Sequence, residues 1–121
     1  MGHRHEVDLQ CLDAETASVV ANTMQALATP SRVRILSRLA GGECAVTELS
    51  RAVDMGQSAV SQQLRVLRHL GLVTHRRSGR QIIYALHDDH VAVLLEQAVS
   101  HTEHLRLDGA GRNGAPGGSR P

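Results

Sequence analysis

The sequence predicts a mainly α-helical domain with a small β-hairpin. Three observations carry this. Residues that start helices precede several apolar-periodic runs, a glycine-centred turn separates two short helices, and two β-prone runs flank Ser78-Gly79. At 121 residues the chain suits one domain with a real but modest core.

Met1 to Leu12 reads as a flexible arm (1–12). Asp13 is placed to cap a helix through Glu15 to Leu27, whose apolar positions fit a helical period imperfectly. Thr29-Pro30 supplies a capping hydroxyl and a proline at the first helical position. The second helix then runs from Ser31 to about Leu39, with Val33, Ile35 and Leu36 inward, and Gly41-Gly42 ends it.

A short helix follows from Val46 to about Val53, with Thr47 as a possible cap and Leu49 and Ala52 inward. Met55-Gly56-Gln57 makes a tight turn. Ser58 caps the next helix, Ala59 to His69, which keeps Val60, Leu64 and Leu67 on one face and ends at Gly71. Two short helices around a glycine turn, the second polar and Arg-bearing outside, form a helix-turn-helix. The hairpin of Leu72–Arg77 and Arg80–Leu86 makes it the winged form. A last helix runs from about Asp89 to Leu105, and a Gly/Pro-rich tail, 108–121, is expected to be disordered. The domain therefore spans 13–107 in the order α-α-α-α-β-β-α.

No apolar run approaches the ~18 residues of a membrane span, and MGHRHEVDLQ has no apolar core of a secretory signal. Two cysteines, Cys11 and Cys44, do not make a disulfide scaffold, so a reducing cytoplasm is expected. The net charge of +1 is unevenly spread. Between Arg51 and Arg80 stand Arg51, Arg65, Arg68, Arg76, Arg77 and Arg80 against Asp54 alone. Between Gln81 and Asp108 stand Asp88, Asp89, Glu96, Glu103 and Asp108 against Arg106. A basic middle suits an anionic partner, and an acidic, His-rich end suits a cation. Tyr84 is the sole aromatic residue, so stacking on single-stranded nucleic acid, RNA included, is not expected. There is no HExxH, no plausible Ser/His/Asp arrangement and no phosphate loop, so no enzyme is expected.

The outer face of the second short helix carries Gln57, Ser58, Ser61, Gln62 and Arg65. Gln pairs bidentately with adenine and Arg with guanine, while the serines and the helix N-terminus suit phosphates. Arg76, Arg77 and Arg80 flank the Ser-Gly tip, suited to the minor groove or to phosphates. Surface arginines are common and winged helices also bind proteins. The coincidence of the charge block with the motif favours double-stranded DNA.

The last helix carries the other chemistry. Asp88 and His90 lie at its start, and His101 and His104, three apart on one face, lie near its end. A rise of ~1.5 Å per residue separates the pairs by roughly 16 Å, whereas metal–ligand bonds are only ~2.0–2.2 Å long. One helix cannot close the four around an ion. Two antiparallel copies can, which predicts a homodimer with two equivalent metal sites and a palindromic operator. Exposed His and Asp are often merely solvated, and the clustering of His87, His90, His101 and His104 weighs against that here.

Three segments carry a resemblance: Ala28-Thr29-Pro30-Ser31-Arg32-Val33-Arg34-Ile35-Leu36; Gln57-Ser58-Ala59-Val60-Ser61-Gln62-Gln63-Leu64-Arg65-Val66-Leu67-Arg68; and Gly71-Leu72-Val73. In combination they resemble the ArsR/SmtB family of metal-sensing repressors, over roughly Ala17 to His104. The resemblance implies a dimeric winged helix with an interface of first and last helices. It also implies an interfacial site of Asp88, His90, His101 and His104, at which metal typically weakens operator binding. The family's thiolate site, written E-L-C-V-C-D-L, aligns with Glu43-Cys44-Ala45-Val46-Thr47-Glu48-Leu49. Both thiol positions are lost, to Ala45 and Thr47, which argues against arsenite, cadmium or lead. Cys44 fits better as a small buried residue than as a ligand, and Cys11 has no assigned role. Related proteins often carry His where this chain has Gln62, which bears on base preference.

The chain most resembles the nickel/cobalt-sensing type, which also begins Met-Gly-His. Removal of Met1 would free the Gly2 amine, and with His3 this adds two nitrogen ligands; His5 is a substitute for His3 or has no role. Four ligands suit tetrahedral zinc, and six N/O ligands suit octahedral Ni(II) or Co(II). Three alternatives stay open: a zinc-responsive repressor, a metal-dependent activator, and a winged-helix regulator with no metal effector.

Overall fold

The computed structural model describes residues 8–113. Five helices and three short strands follow one another as α1 (Ala14–Ala26), α2 (Pro30–Ala40), β1 (Cys44–Ala45), α3 (Val46–Val53), α4 (Gln57–His69), β2 (Val73–Ser78), β3 (Gln81–Leu86) and α5 (Asp89–Asn113). Within the segment expected to be an irregular arm, Leu9–Cys11 forms one 3-10 turn, because the Asp8 carboxylate accepts from the Gln10 N–H.

The two predicted caps hold the first two helices. Asp13 accepts from Thr16 N–H at 2.7 Å, and Thr29 Oγ1 from Arg32 N–H at 3.3 Å, with Pro30 opening α2. The Thr16 hydrogen bonds hold the Asp13 carboxyl below its usual range. The next two caps differ from expectation. Ala45 and Gly56 precede α3 and α4, neither helix has a side-chain cap, and Thr47 and Ser58 lie inside the first turns. Ala45, paired in β1, occupies the cap position and its methyl side chain offers no acceptor.

That strand is an addition to the predicted hairpin. Cys44 pairs with Tyr84 and Ala45 with Ile83, giving a three-stranded antiparallel sheet of order β1-β3-β2. β2 and β3 pair from Val73–Leu86 to Ser78–Gln81, with Gly79 at φ 65° in the turn. At the end of α4, Gly71 at φ 78° lets its own N–H reach the Arg68 carbonyl and the Leu72 N–H reach the Leu67 carbonyl. This Schellman arrangement turns the chain from α4 into β2 and buries Leu72.

The core sits between α2, α3, α4 and the start of α5. Ile35, Leu36, Leu49, Val60, Leu64 and Leu67 are fully buried, and Val91 and Leu95 cover them from α5. Ala52, expected inward, is exposed; Leu49, Ser50 and Val53 form the inner face of α3. Two helices are left largely outside this core. α1 is exposed from Ala14 to Gln25, with only Ala26 and Leu27 buried at its end. α5 is exposed from Glu96 to Leu107. It continues to Asn113, past the boundary at 107 and into the segment expected to be a disordered tail. Extending a formed helix costs little beyond a Gly penalty of about 1 kcal/mol per residue, and no proline intervenes before Pro116.

The turn between α3 and α4 depends on Asp54, which adopts a left-handed conformation at φ 57°. An L-residue there carries a steric cost that glycine lacks. Asp54→Gly is therefore expected to stabilise the domain by about 0.5–1 kcal/mol, raising the melting temperature by roughly 2–6 °C. An unchanged or lower melting temperature would contradict this account of the turn.

Candidate nucleic-acid face and metal-ligand helix

The absence of a side-chain cap on α4 leaves its first-turn N–H groups available to an acceptor. Beside that end lies a cleft of about 270 Å³ lined by Thr47, Gln57, Ser61, Arg80 and Gln81. The fold thus brings Gln57 and Ser61 of α4 and Arg80 of the wing to one groove. Ser58, Gln62 and Arg65 are exposed on the same helix.

The other two wing arginines are engaged. Arg76 donates to Glu43 Oε2 at 2.6 Å, and Arg77 Nη1 to the Gly79 carbonyl at 3.3 Å. The two alternate across β2, so they point to opposite faces of the sheet. The Glu43 carboxylate offsets the charge of Arg76, which sequence proximity alone had grouped with Arg80. The pair is half-exposed, and such pairs add little stability. Tyr84 is spent on packing. It stacks on His75 at 5.5 Å between centroids, and Arg68 Nη1 lies 2.9 Å from His75 Nε2, linking α4 to the sheet.

Asp88 ends the loop before α5. Its Oδ1 accepts from the His90 N–H at 2.9 Å and lies 3.3 Å from His90 Nδ1; its Oδ2 lies 3.3 Å from His87 Nδ1. The His87 hydrogen bond first, then the His90 N–H, holds the Asp88 carboxyl below its usual range. His87 was outside the predicted ligand set; its adjacency to Asp88 was the available signal, and it fixes the carboxylate's rotation. His90 is almost fully exposed, and His101 and His104 are exposed farther along α5.

Among the described residues, no group of three or more His, Cys, Asp or Glu comes together as a metal cluster. Within one chain the Asp88/His90 and His101/His104 pairs stay apart, roughly 16 Å along the helix. Gly2, His3 and His5 lie outside the described residues. The donor set itself, one ionised carboxylate and three imidazoles, suits a divalent N/O-ligated metal. Cys44 is buried, with Sγ 3.8 Å from Glu48 Oε1, and burial pushes its thiol up, as expected of an inert packed residue rather than a ligand. Cys11 is exposed.

Comparison with known proteins places this geometry. Residues 29–75 match the bacterial regulatory protein, arsR family. The chain is 55% identical to the HTH-type transcriptional regulator NmtR of Mycobacterium tuberculosis, over 88% of each chain. It is 40% identical to a transcriptional repressor SmtB homolog of Synechocystis, over 81% of this chain and 74% of the other. The solution structure of apo-NmtR superposes with a TM-score of 0.70 at 53% identity, covering 88% of each chain. The homodimeric winged helix-turn-helix domain of Mb0332 from Mycobacterium bovis superposes with a TM-score of 0.69 at 34% identity, covering 84% of this chain and 93% of that one. The fold, the helix-turn-helix with its wing, and this degree of identity establish that the chain belongs to the ArsR/SmtB family of winged-helix, DNA-binding transcriptional regulators, and is not an enzyme.

Proposed function

We propose that the protein is a homodimeric cytoplasmic repressor released from its operator by Ni(II) or Co(II) bound between two copies of α5. One observation carries this: α5 runs exposed beyond the core from Glu96 to Leu107, with one candidate ligand pair at each end of its central stretch. A helix with no packing surface is marginal in water. α1 is likewise mostly exposed and presents Val19, Val20 and Met24 to solvent. A second chain laid antiparallel on α5 covers these faces. It also brings the Asp88/His90 pair of one chain to the His101/His104 pair of the other, with the midpoint close to Glu96.

Metal that prefers the DNA-free dimer lowers operator affinity by its differential affinity for the two forms. A coupling of ~1–3 kcal/mol corresponds to roughly 5–150-fold. The first test is operator affinity with and without nickel, cobalt and zinc; identical affinities in all four conditions would leave a regulator without a metal effector. Tighter binding with metal would make it a metal-dependent activator or co-repressed protein. Weak d–d bands of six-coordinate cobalt, lost in His3→Ala, are expected if Gly2 and His3 complete the site. Intense tetrahedral bands indifferent to His3 would replace this with a four-ligand zinc site.

On the DNA side, α4 enters the major groove and the wing lies along the backbone. Arg65→Ala is expected to cost about 1–3 kcal/mol and relax preference at one base pair. Arg80→Ala should weaken all duplexes alike and reduce the salt dependence. Binding measured on an operator and its single-base variants separates the two; a uniform loss with Arg65→Ala would remove Arg65 from base readout.

A further inference from the structure

Arg32, near the start of α2, reaches in two directions. Its Nε donates to Gln63 Oε1 at 2.8 Å, and its Nη1 donates to the Ala26 carbonyl at 3.3 Å. Ala26 is the last residue of α1 and is buried. Its carbonyl is among those a helix cannot satisfy from within, since no further turn follows. The next two N–H groups, of Leu27 and Ala28, go to Met24 and Gln25 instead. Gln63 lies mid-way along α4. It is half-buried, whereas Gln62 and Arg65 beside it are exposed. One guanidinium therefore joins the end of α1 to the middle of α4. The rest of α1 is exposed, with Val19, Asn22 and Thr23 lining a cleft beside Leu70 and Leu72, whereas Arg32 ties its buried end directly to the middle of α4.

We infer that Arg32 is a positioning residue for sequence recognition: it fixes α4 relative to α1, so that the placement of α1 sets how α4 meets base edges. A planar guanidinium suits this because it holds two acceptors in a fixed fork, which a lysine ammonium does not. Base-edge hydrogen bonds fail with small displacements, while phosphate contacts by long flexible side chains tolerate them. Loss of Arg32 therefore lowers discrimination between sequences far more than general DNA affinity.

The inference rests on the proposal that α4 reads base edges and on no metal. Its test uses a duplex that the wild-type protein enriches from a random library, and a scrambled duplex of equal length. Arg32→Ala and Gln63→Ala are each expected to weaken the enriched duplex about tenfold and the scrambled one less than about twofold. The double variant should bind no worse than either single one, because the two side chains act as a unit. Arg32→Lys, which keeps charge and stem, guards against misfolding and should lose part of the preference. Equal loss on both duplexes would mark a merely structural role and overturn the inference. So would additive losses from Arg32 and Gln63, as expected if Gln63 touches DNA itself. Unchanged sequence preference in a Gln62→Ala/Arg65→Ala variant would overturn the α4 proposal, and the inference with it.

Discussion

Alanine at both His101 and His104 is expected to leave metal-free operator binding within about twofold of wild type, since both side chains are exposed. The same change is expected to abolish the metal response. If the wild-type coupling lies in the ~1–3 kcal/mol range, a release of roughly 5–150-fold collapses to none. Two imidazoles are half of the proposed α5 ligand set, and Asp88 with His90 alone cannot complete a site of four or more donors. The wild-type response should also fade in acid, because protons compete with metal for the imidazoles. Asp88 is not the group that fails first: its carboxyl, held low by His87 and the His90 N–H, stays ionised to lower pH than an ordinary carboxylate. Titrating metal into the protein–DNA complex across pH checks both points. Metal-driven release that survives the double alanine would mean that α5 is not where the signal binds.

The second large effect concerns the interface. On α5, Val93 shares the face of His90, His101 and His104, one turn on from His90, and it is exposed in the single chain. If those histidines meet across two helices, Val93 must be covered there. Val93→Asp would place an unpaired carboxylate in that seam, once per chain and so twice per dimer. An unpaired neutral polar group already costs about 1–3 kcal/mol and a carboxylate more, so dimerisation should weaken by at least on the order of a hundredfold. Sedimentation at micromolar protein should then show monomers, with loss of operator affinity, because one recognition helix cannot span two half-sites. A variant that remains dimeric would place the seam elsewhere.

The parts of this molecule that were legible from sequence are those with local causes. Asp13 and Thr29 cap helices through bonds three residues ahead. Gly71 closes α4 because only a short stretch of backbone is involved, and Val60, Leu64 and Leu67 declare an inner face by their spacing. What escaped were features decided at a distance or against composition. β1 is two residues long, too short for any alternation, and exists because β3 offers it a partner. Asp54 takes a conformation that its identity advertises weakly. The glycines after Asp108 do not halt α5.

The candidate sites divide in the same way. Spacing along one helix puts His101 and His104 on one face, and the predicted neighbourhood of Asp88 and His90 is present as a 3.3 Å contact. The tie from Arg76 to Glu43 spans the sheet, and that from Arg32 to Gln63 joins two helices, so neither has a local signature. For His87 the sequence offered only adjacency to Asp88, since the rotation of the carboxylate toward it is a matter of three-dimensional geometry.

The claim that the site is shared between chains has one direct measurement. A chain carrying Asp88→Ala and His90→Ala is co-refolded with a chain carrying His101→Ala and His104→Ala, and cobalt binding is titrated in each alone and in the mixture. If ligands come from both chains, each variant alone lacks a complete site, while the mixed dimer regains one intact site and a cobalt spectrum of the wild-type form. If the mixture binds no more than its two components measured separately, the metal is not held between the two copies of α5.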